Sequence, residues 1–212
     1  MQVNQISILD YGLGNIFSIN ECLKKAGYAT KLISKREEIE SAEFLILPGV
    51  GAFGVAMNYL KQNHLVMPLL QHVATGKPLV GICLGMQLLF ESSEEHGYVA
   101  GLGLIKGHVK KFQPLENSPM RIPHIGWNKV NIPNNEDQQY LSFLKKEEPY
   151  FYFVHSYHAN PENPNNLLLT SEYAGLNFCA AVKHQNIVGF QFHPENSAQL
   201  GQLLIKNIPT LF

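Results

Sequence analysis

The sequence is poor in cysteine, nearly without tryptophan and has no excess of either charge. Its three cysteines, Cys22, Cys83 and Cys179, contain no CxxC pair. That excludes a thiolate zinc site of the usual spacing and argues against a disulfide framework, as in a reducing compartment. Lys and Arg total 16 against 17 Asp and Glu, for a net charge of −1. Such a balance removes the electrostatic reason to expect a nucleic acid or an anionic membrane as partner. The longest apolar runs, such as Phe44 to Leu47, are far too short to cross a bilayer. The opening residues, MQVNQISILD, lack the basic start and long apolar stretch of a secretory signal. A cytoplasmic chain is therefore expected. No repeat, low-complexity tract or linker interrupts it, and 45% of its 212 residues are apolar. One domain spanning residues 1–212, with a sizeable core, is the expectation.

In the first half, apolar strands alternate with amphipathic helices. Residues 5–10 (QISILD) read as a strand that ends at the breakers Gly12 and Gly14. A helix follows in which Asn15 can cap, Ile16, Ile19, Leu23 and Ala26 keep helical spacing, and Gly27 stops the run. Strands are expected near 29–33 and at 44–47, a second helix over 53–74 broken before Pro68, a buried strand at 78–82 and a helix at 84–92. This alternation implies an α/β fold whose parallel sheet carries helices on both faces. After about residue 100 strands dominate: GLIKGHVKKF, WNKVNI, YFYFVHSYH, LLLTSEY, FCAAVKHQ and NIVGFQFH. The last two are joined by a turn near His184 to Asn186, as in a hairpin. Residues 131–138 are the most loop-like stretch, and a final helix fits Ala198 to Asn207.

One cysteine has a setting that suggests chemistry. The strand PLVGI runs into Gly81-Ile82-Cys83-Leu84-Gly85, the small-x-nucleophile-x-small pattern of a nucleophile elbow with cysteine in place of serine. Glycines two residues either side are required because any Cβ there would strike the turn. The elbow lifts the thiol to the carboxyl ends of the strands, where open α/β sheets bind ligands. The following helix aims its free N–H groups, that of Leu84 included, at the place where an oxyanion would form. An unperturbed thiol is only a few per cent thiolate at neutral pH, and a helix N-terminus supplies just ~0.3–1 kcal/mol, so a nearby histidine is needed. Cys22 and Cys179 have no such surroundings and read as packing residues.

Among nine histidines, His193 stands out because it closes the apolar strand IVGFQF and is followed at once by Pro194 and Glu195. A histidine at a strand end can share a sheet edge with Cys83, and Glu195 can hold its imidazole in the productive tautomer. His155 and His158 are spaced as metal ligands might be, but strand alternation turns them to opposite faces, so no metal site is expected. His64, His72, His96, His108 and His184 read as surface residues. The segment from Gly49 to Gly54 matches the GxGxxG dinucleotide fingerprint. The acidic ribose ligand expected about 20 residues on is absent, so no nucleotide cofactor is expected either. The Pro48-Gly49-Val50-Gly51 loop could instead bring backbone N–H groups to a substrate carbonyl.

GICLGMQLLF around Cys83 and FHPE at 192–195 resemble the class I (triad) glutamine amidotransferases. DYGLGN at 10–15, LPGVGAF at 47–53, PHIGWN at 123–128 and YFVHSY at 152–157 are similar, in combination, to the glutaminase subunits of imidazole glycerol phosphate synthase. The resemblance covers essentially the whole chain. It implies a flavodoxin-like α/β amidotransferase fold with antiparallel strands in the C-terminal half, and hydrolysis of L-glutamine to glutamate and ammonia by a Cys83-His193-Glu195 triad. It further implies that Gly49, Val50 and Leu84 serve the oxyanion and that Gly51, Gln87, His155, Ser156 and Tyr157 line the glutamine pocket. Asn15, Pro123, His124, Trp127 and Tyr152 would face a cyclase subunit, a (β/α)₈ barrel, in a heterodimer. That cyclase uses the ammonia to make imidazole glycerol phosphate and AICAR in histidine biosynthesis. The chain departs from the family at Asn196, where lysine is usual, and at Ile125, where methionine is usual. Two other readings stand beside this one: a paralogous glutaminase feeding a sugar amidotransferase for surface polysaccharide, and a non-catalytic interaction module of the same fold. A cysteine peptidase or γ-glutamyl hydrolase fits PHIGWN and YFVHSY poorly.

Overall fold

A computed structural model describes residues 3, 5–114, 120–133, 141–144 and 148–212. In the first half of the chain β1 (Gln5–Leu9), α1 (Ile16–Lys25), β2 (Ala29–Ile33), α2 (Arg36–Ser41), β3 (Leu45–Leu47), α3 (Phe53–Gln62), α4 (Val66–Ala74), β4 (Leu79–Ile82) and α5 (Leu84–Leu88) follow one another. The strands β5 (Phe90–Ser93), β6 (Val99–Ala100), β7 (Ile105–Lys111), β8 (His124–Asn131), β9 (Tyr150–His155) and β10 (Tyr157–Pro161) come next. The chain then continues through β11 (Leu167–Tyr173), β12 (Leu176–His184), β13 (Ile187–Phe190) and α6 (Ala198–Asn207). A cis Ile122–Pro123 bond precedes β8.

Among the described residues the strands form a nine-stranded sheet, ordered β2-β1-β3-β4-β13-β12-β11-β8-β9, and a four-stranded sheet, ordered β10-β7-β5-β6. β13 is the seam of the large sheet, parallel to β4 with Phe190 opposite Ile82 and antiparallel to β12 through the expected hairpin. From β13 to β2 all neighbours run parallel; from β13 to β9 all run antiparallel.

Strand alternation divides the core between the two faces. Ile6, Ile8, Ile46, Val80, Ile82, Val188 and Phe190 point to the side covered by Ile19 and Leu23 of α1 and Leu204 and Ile205 of α6. Leu9, Leu45, Leu47, Leu79 and Ile187 point to the other, under Phe53, Met57 and Leu60 of α3 and Leu69 of α4. Each fully buried aliphatic or aromatic side chain contributes about 1.5–3 kcal/mol, so this two-sided burial is what holds the strands in register.

Several local expectations change. The helix expected over 53–74 is two helices, separated at residues 63–65 where His64 takes φ 55°, and Pro68 sits in the first turn of α4. The helix expected over 84–92 ends at Leu88, because residues 90–93 leave as β5 to pair with β7. Arg36–Ser41 forms a short helix whose Glu38 carboxylate accepts from the Ser34 and Lys35 amides. Asn15 makes no side-chain cap; only its carbonyl accepts, from Ile19 N at 3.2 Å. His72 is buried rather than on the surface, its Nε2 hydrogen-bonded to the Pro78 carbonyl at 3.0 Å. YFYFVHSYH is split at Ser156, β9 staying in the large sheet while β10 joins the small one. Of the loop-like stretch 131–138, residues 134–138 lie outside the described residues. No described helix is long and apolar enough to cross a membrane.

Candidate active site

Cys83 occupies the junction of β4 and α5 with φ 54° and ψ −111°, a region that residues bearing a Cβ rarely adopt. The flanking glycines make that turn possible. A Cβ on Gly81 would lie 2.7 Å from the Met86 backbone, and one on Gly85 would overlap the Leu47 carbonyl. The turn is pinned from the next strand by a 2.7 Å hydrogen bond from Cys83 N to the Phe190 carbonyl.

The same neighbour delivers the histidine. The chain leaves β13 through Gln191 and Phe192, both fully buried, to His193. His193 N donates to the Tyr152 carbonyl at 2.9 Å. Ser197 Oγ donates to the His193 carbonyl at 2.6 Å and accepts from Tyr152 N at 3.0 Å, so the turn is held on β9 from both sides. His193 Nδ1 lies 2.8 Å from Glu195 Oε1. An ionised carboxylate only accepts, so Nδ1 carries the proton in this bond and Nε2 is left to act. Burial by itself would lower the basicity of His193. Hydrogen bonding and charge from Cys83 and Glu195 outweigh it and hold the imidazole up at about 10. Nε2 has no hydrogen bond of full geometry among the described residues, and neither does Glu195 Oε2.

Cys83 and His193 share the wall of a cavity of about 270 Å³. Of the sequence-predicted residues, Val50, Gly51, Leu84, Gln87, His155, Ser156 and Tyr157 line it too. Pro123, expected at a partner surface, also reaches it, whereas Gly49 and Glu195 sit behind the wall. His155, Ser156 and Tyr157 occupy the crossing from β9 to β10, which brings them over the thiol. The Leu84 N–H donates to the Gly49 carbonyl at 3.3 Å, so this oxyanion candidate is engaged within the protein. Gly49 is confined: a Cβ there would come within 2.7 Å of Tyr11 Oη and 2.9 Å of Gly85 N.

Four residues that the sequence reading left unassigned belong to this site. Glu95 lines the cavity while its Oε2 accepts from Phe53 N, at the start of α3, at 2.6 Å. Tyr11 donates to the Pro48 carbonyl at 2.8 Å, and burial, with Cys83 nearby, raises its pKa. Ser197 clamps the His193 turn, and Gln191 reaches the thiol. Tyr11 and Gln191 stand inside quoted motifs, but sequence spacing alone does not show that they meet Pro48 and Cys83 through space.

The expected partner-facing residues behave unequally. Trp127 is 52% exposed and Ile125 59%, and Tyr152 lies against Trp127 with rings 6.3 Å apart. Asn15 is half-buried near Phe17, itself 76% exposed. His124, also expected there, does not present its ring outward in the free chain. Its ring is buried, stacked on Tyr173 at 4.0 Å, with Nδ1 3.1 Å from His155 Nε2. Alternation along β8 turns it inward between the outward Pro123 and Ile125. Burial lowers His124 to about 4 and His155 to about 3, the latter also opposed by neighbouring histidines. His155 bonds the Tyr157 carbonyl and His158 the Ala159 carbonyl, and Phe112 packs against both rings. No group of three His, Cys, Asp or Glu among the described residues is placed to hold a metal ion. Cys22 and Cys179 are buried, and burial raises both thiols.

A family profile described as Glutamine amidotransferase class-I matches residues 7–208. The chain is 42% identical over 204 residues to the "Imidazole glycerol phosphate synthase subunit hisH" of Cyanophora paradoxa, covering 96% of this chain and 92% of that one. It is 43% identical over 201 residues to the protein of that name from Aquifex aeolicus, covering 94% and 93%. In structure it is similar to PurLQS from Thermotoga maritima, with TM-score 0.73, 19% identity and coverage of 99% and 98%. A crystal structure described as a glutamine amidotransferase gives TM-score 0.70 at 17% identity, with coverage of 97% and 98%.

Proposed function

The chain belongs to the class-I glutamine amidotransferase family, and from that premise we propose that it is the glutaminase subunit of an imidazole glycerol phosphate synthase, working in histidine biosynthesis through Cys83, His193 and Glu195. The Cys83 thiol passes its proton to His193 Nε2 as its sulfur attacks the side-chain carboxamide carbon of L-glutamine. His193, already favouring its proton, delivers it to the departing nitrogen, and ammonia leaves a glutamyl thioester. Water then attacks the thioester with His193 as base, releasing glutamate and restoring the thiol. Glu195 keeps Nε2 turned to the reaction. The observation that carries this reading is the meeting of Cys83 and the His193–Glu195 pair from adjacent parallel strands at one cavity.

Leu84 and the Gly49–Val50 peptide supply the oxyanion donors. With Leu84 N–H spent on the Gly49 carbonyl, that peptide must turn over before a full oxyanion hole exists. Gly51, Gln87, His155, Ser156 and Tyr157 hold the glutamine. Glu95, the carboxylate among the lining residues, attracts its α-ammonium group. The partner is a cyclase subunit of (β/α)₈ form that receives the ammonia. The exposed apolar Phe17, Ile125, Trp127 and Val154, beside Asn15, Pro123 and Tyr152, support a docking surface next to the site. The seam at β13, which joins both halves of the large sheet, supports reading residues 1–212 as one domain, and the pathway supports a cytoplasmic setting. Near-full-length relatives carrying the synthase name weigh against the sugar-amidotransferase alternative.

The test mixes the chain with a candidate cyclase and its nucleotide substrate and measures glutamate release. Cys83→Ala is expected to abolish hydrolysis while leaving synthesis from added ammonium salt. Loss of both activities would contradict separate half-sites.

A further inference from the structure

Gln191 is fully buried, yet both ends of its amide are directed at the site. Its Nε2 lies 3.9 Å from Cys83 Sγ, and its Oε1 lies 3.0 Å from Gln87 Nε2. Gln87 Nε2 also donates to the Tyr157 carbonyl at 2.9 Å. A backbone carbonyl can only accept, so it dictates the polarity of the whole chain. Gln87 must present its nitrogen to Tyr157, Gln191 must answer with its oxygen, and the Gln191 N–H is left for the sulfur. Reversing Gln87 would set its oxygen against two acceptor oxygens, and reversing Gln191 would set one NH2 group against the other. Both N–H groups of Gln87 are thereby spent away from the cavity it lines, and its own oxygen is the group it offers there. Gln191 itself is fixed by the backbone bond from its N–H to the Ala180 carbonyl at 2.9 Å.

We propose that Gln191 is a positioning residue of the glutaminase: its amide N–H steadies the sulfur of Cys83 in the anionic form, while its amide oxygen locks Gln87 to accept a hydrogen bond from a substrate N–H. The inference deepens the glutaminase reading and rests on it. Gln191 makes no contact with the cavity, so it acts only through Cys83 and Gln87. A thiolate accepts a hydrogen bond more strongly than a thiol, and a donor in a water-poor position favours it without adding charge. The other bond recorded for Sγ, to the Val154 carbonyl at 4.0 Å, serves only the thiol form. The charged and titratable groups around Cys83 are His193 and Glu195 beyond β13, Tyr11 after β1, His155 at the end of β9, and Tyr157 and Glu95 on the cavity wall. Substituting Gln191 leaves all of them in place.

The experiment measures iodoacetamide labelling of Cys83 in the full chain across pH 6–10, with buried Cys22 and Cys179 as internal references. It also measures glutamine turnover in complex with the cyclase. Gln191→Met keeps the volume but removes both polar ends. Its labelling at neutral pH is expected to slow about fivefold or more, with the profile displaced to higher pH and KM for glutamine raised. Gln191→Glu keeps an oxygen for Gln87 but has no N–H for the sulfur. It is expected to slow labelling while holding KM near wild type, a split that loss of packing would not produce, and it carries the test if the methionine variant does not fold. Wild-type labelling rates in both folded variants would overturn the inference. Wild-type protein in which Cys83 reacts no faster than Cys22 or Cys179 would instead overturn the glutaminase reading.

Discussion

Glu195→Gln isolates the electrostatic share of the triad. The replacement keeps an oxygen able to accept from Nδ1 across the same 2.8 Å, so the imidazole stays oriented and only the charge is lost. The side chains of His193 and Glu195 are 5% and 0% exposed, so solvent screens their interaction little. A buried hydrogen bond to a charged group contributes roughly 1.5–3 kcal/mol. At about 1.36 kcal/mol per tenfold in rate, turnover should fall roughly 10- to 150-fold. The loss should appear in kcat and not in KM, because Glu195 does not line the cavity. The pH profile should change as well. His193 is held at about 10 partly by this carboxylate, so its removal lets the imidazolium discharge at lower pH, and the alkaline limb should move down. The assay is glutamate release in complex with the cyclase and its nucleotide ligand, over pH 6–10. His193→Asn should lose more activity, since it removes the proton carrier itself. An unchanged kcat, a loss confined to KM, or an unmoved alkaline limb would refute the argument.

Trp127→Ala should weaken cyclase association tenfold or more without altering the circular dichroism of the free chain, since half of the side chain is exposed; calorimetric titration checks it. Gly85→Ala should unfold or destabilise the protein by about 3 kcal/mol or more, because the new methyl would overlap the Leu47 carbonyl. Gly54→Ala should raise stability by about 0.5 kcal/mol, its Cβ meeting only Val99 Cγ2 at 3.6 Å, and urea titration of both variants tests the contrast. Acid should destabilise the fold through His124 and His155. Both bind their protons less tightly folded than unfolded, so their contribution is full above about pH 6.5 and fades as pH falls toward about 4 and about 3. The slope should be roughly 1–3 kcal/mol per pH unit, and flatter in His124→Phe, in equilibrium unfolding between pH 4 and 6.5.

The legible parts of the sequence were those governed by local rules. Short continuous apolar runs placed β1, β3, β4 and β13, helical spacing bounded by Gly27 placed α1, and the paired glycines marked Cys83 as an elbow. The final helix matches its expected range, Ala198–Asn207. What escaped was decided between distant segments. Residues 90–93 could extend a helix by their own preference, but pairing with β7 draws them out as a strand. His72 reads as a surface residue and His124 as a partner-facing one, but the fold buries both, with one ring nitrogen of each meeting Pro78 or His155. Glu95 and Gln191 join the site through bonds spanning 42 and 108 residues, which no local pattern encodes.

The seam of the large sheet has a bearing on how such proteins diverge. Nucleophile and base hang from the ends of two neighbouring strands whose alignment is set by the ladder opposing Ile82 to Phe190. Their separation is a property of that ladder and of the clamp that Ser197 and Tyr152 place on the His193 turn. Connections elsewhere are free to be lengthened, trimmed or resculpted to suit a different ammonia acceptor while the cutting machinery stays in tune. That freedom is in keeping with solved structures under 20% identical that retain this architecture almost end to end.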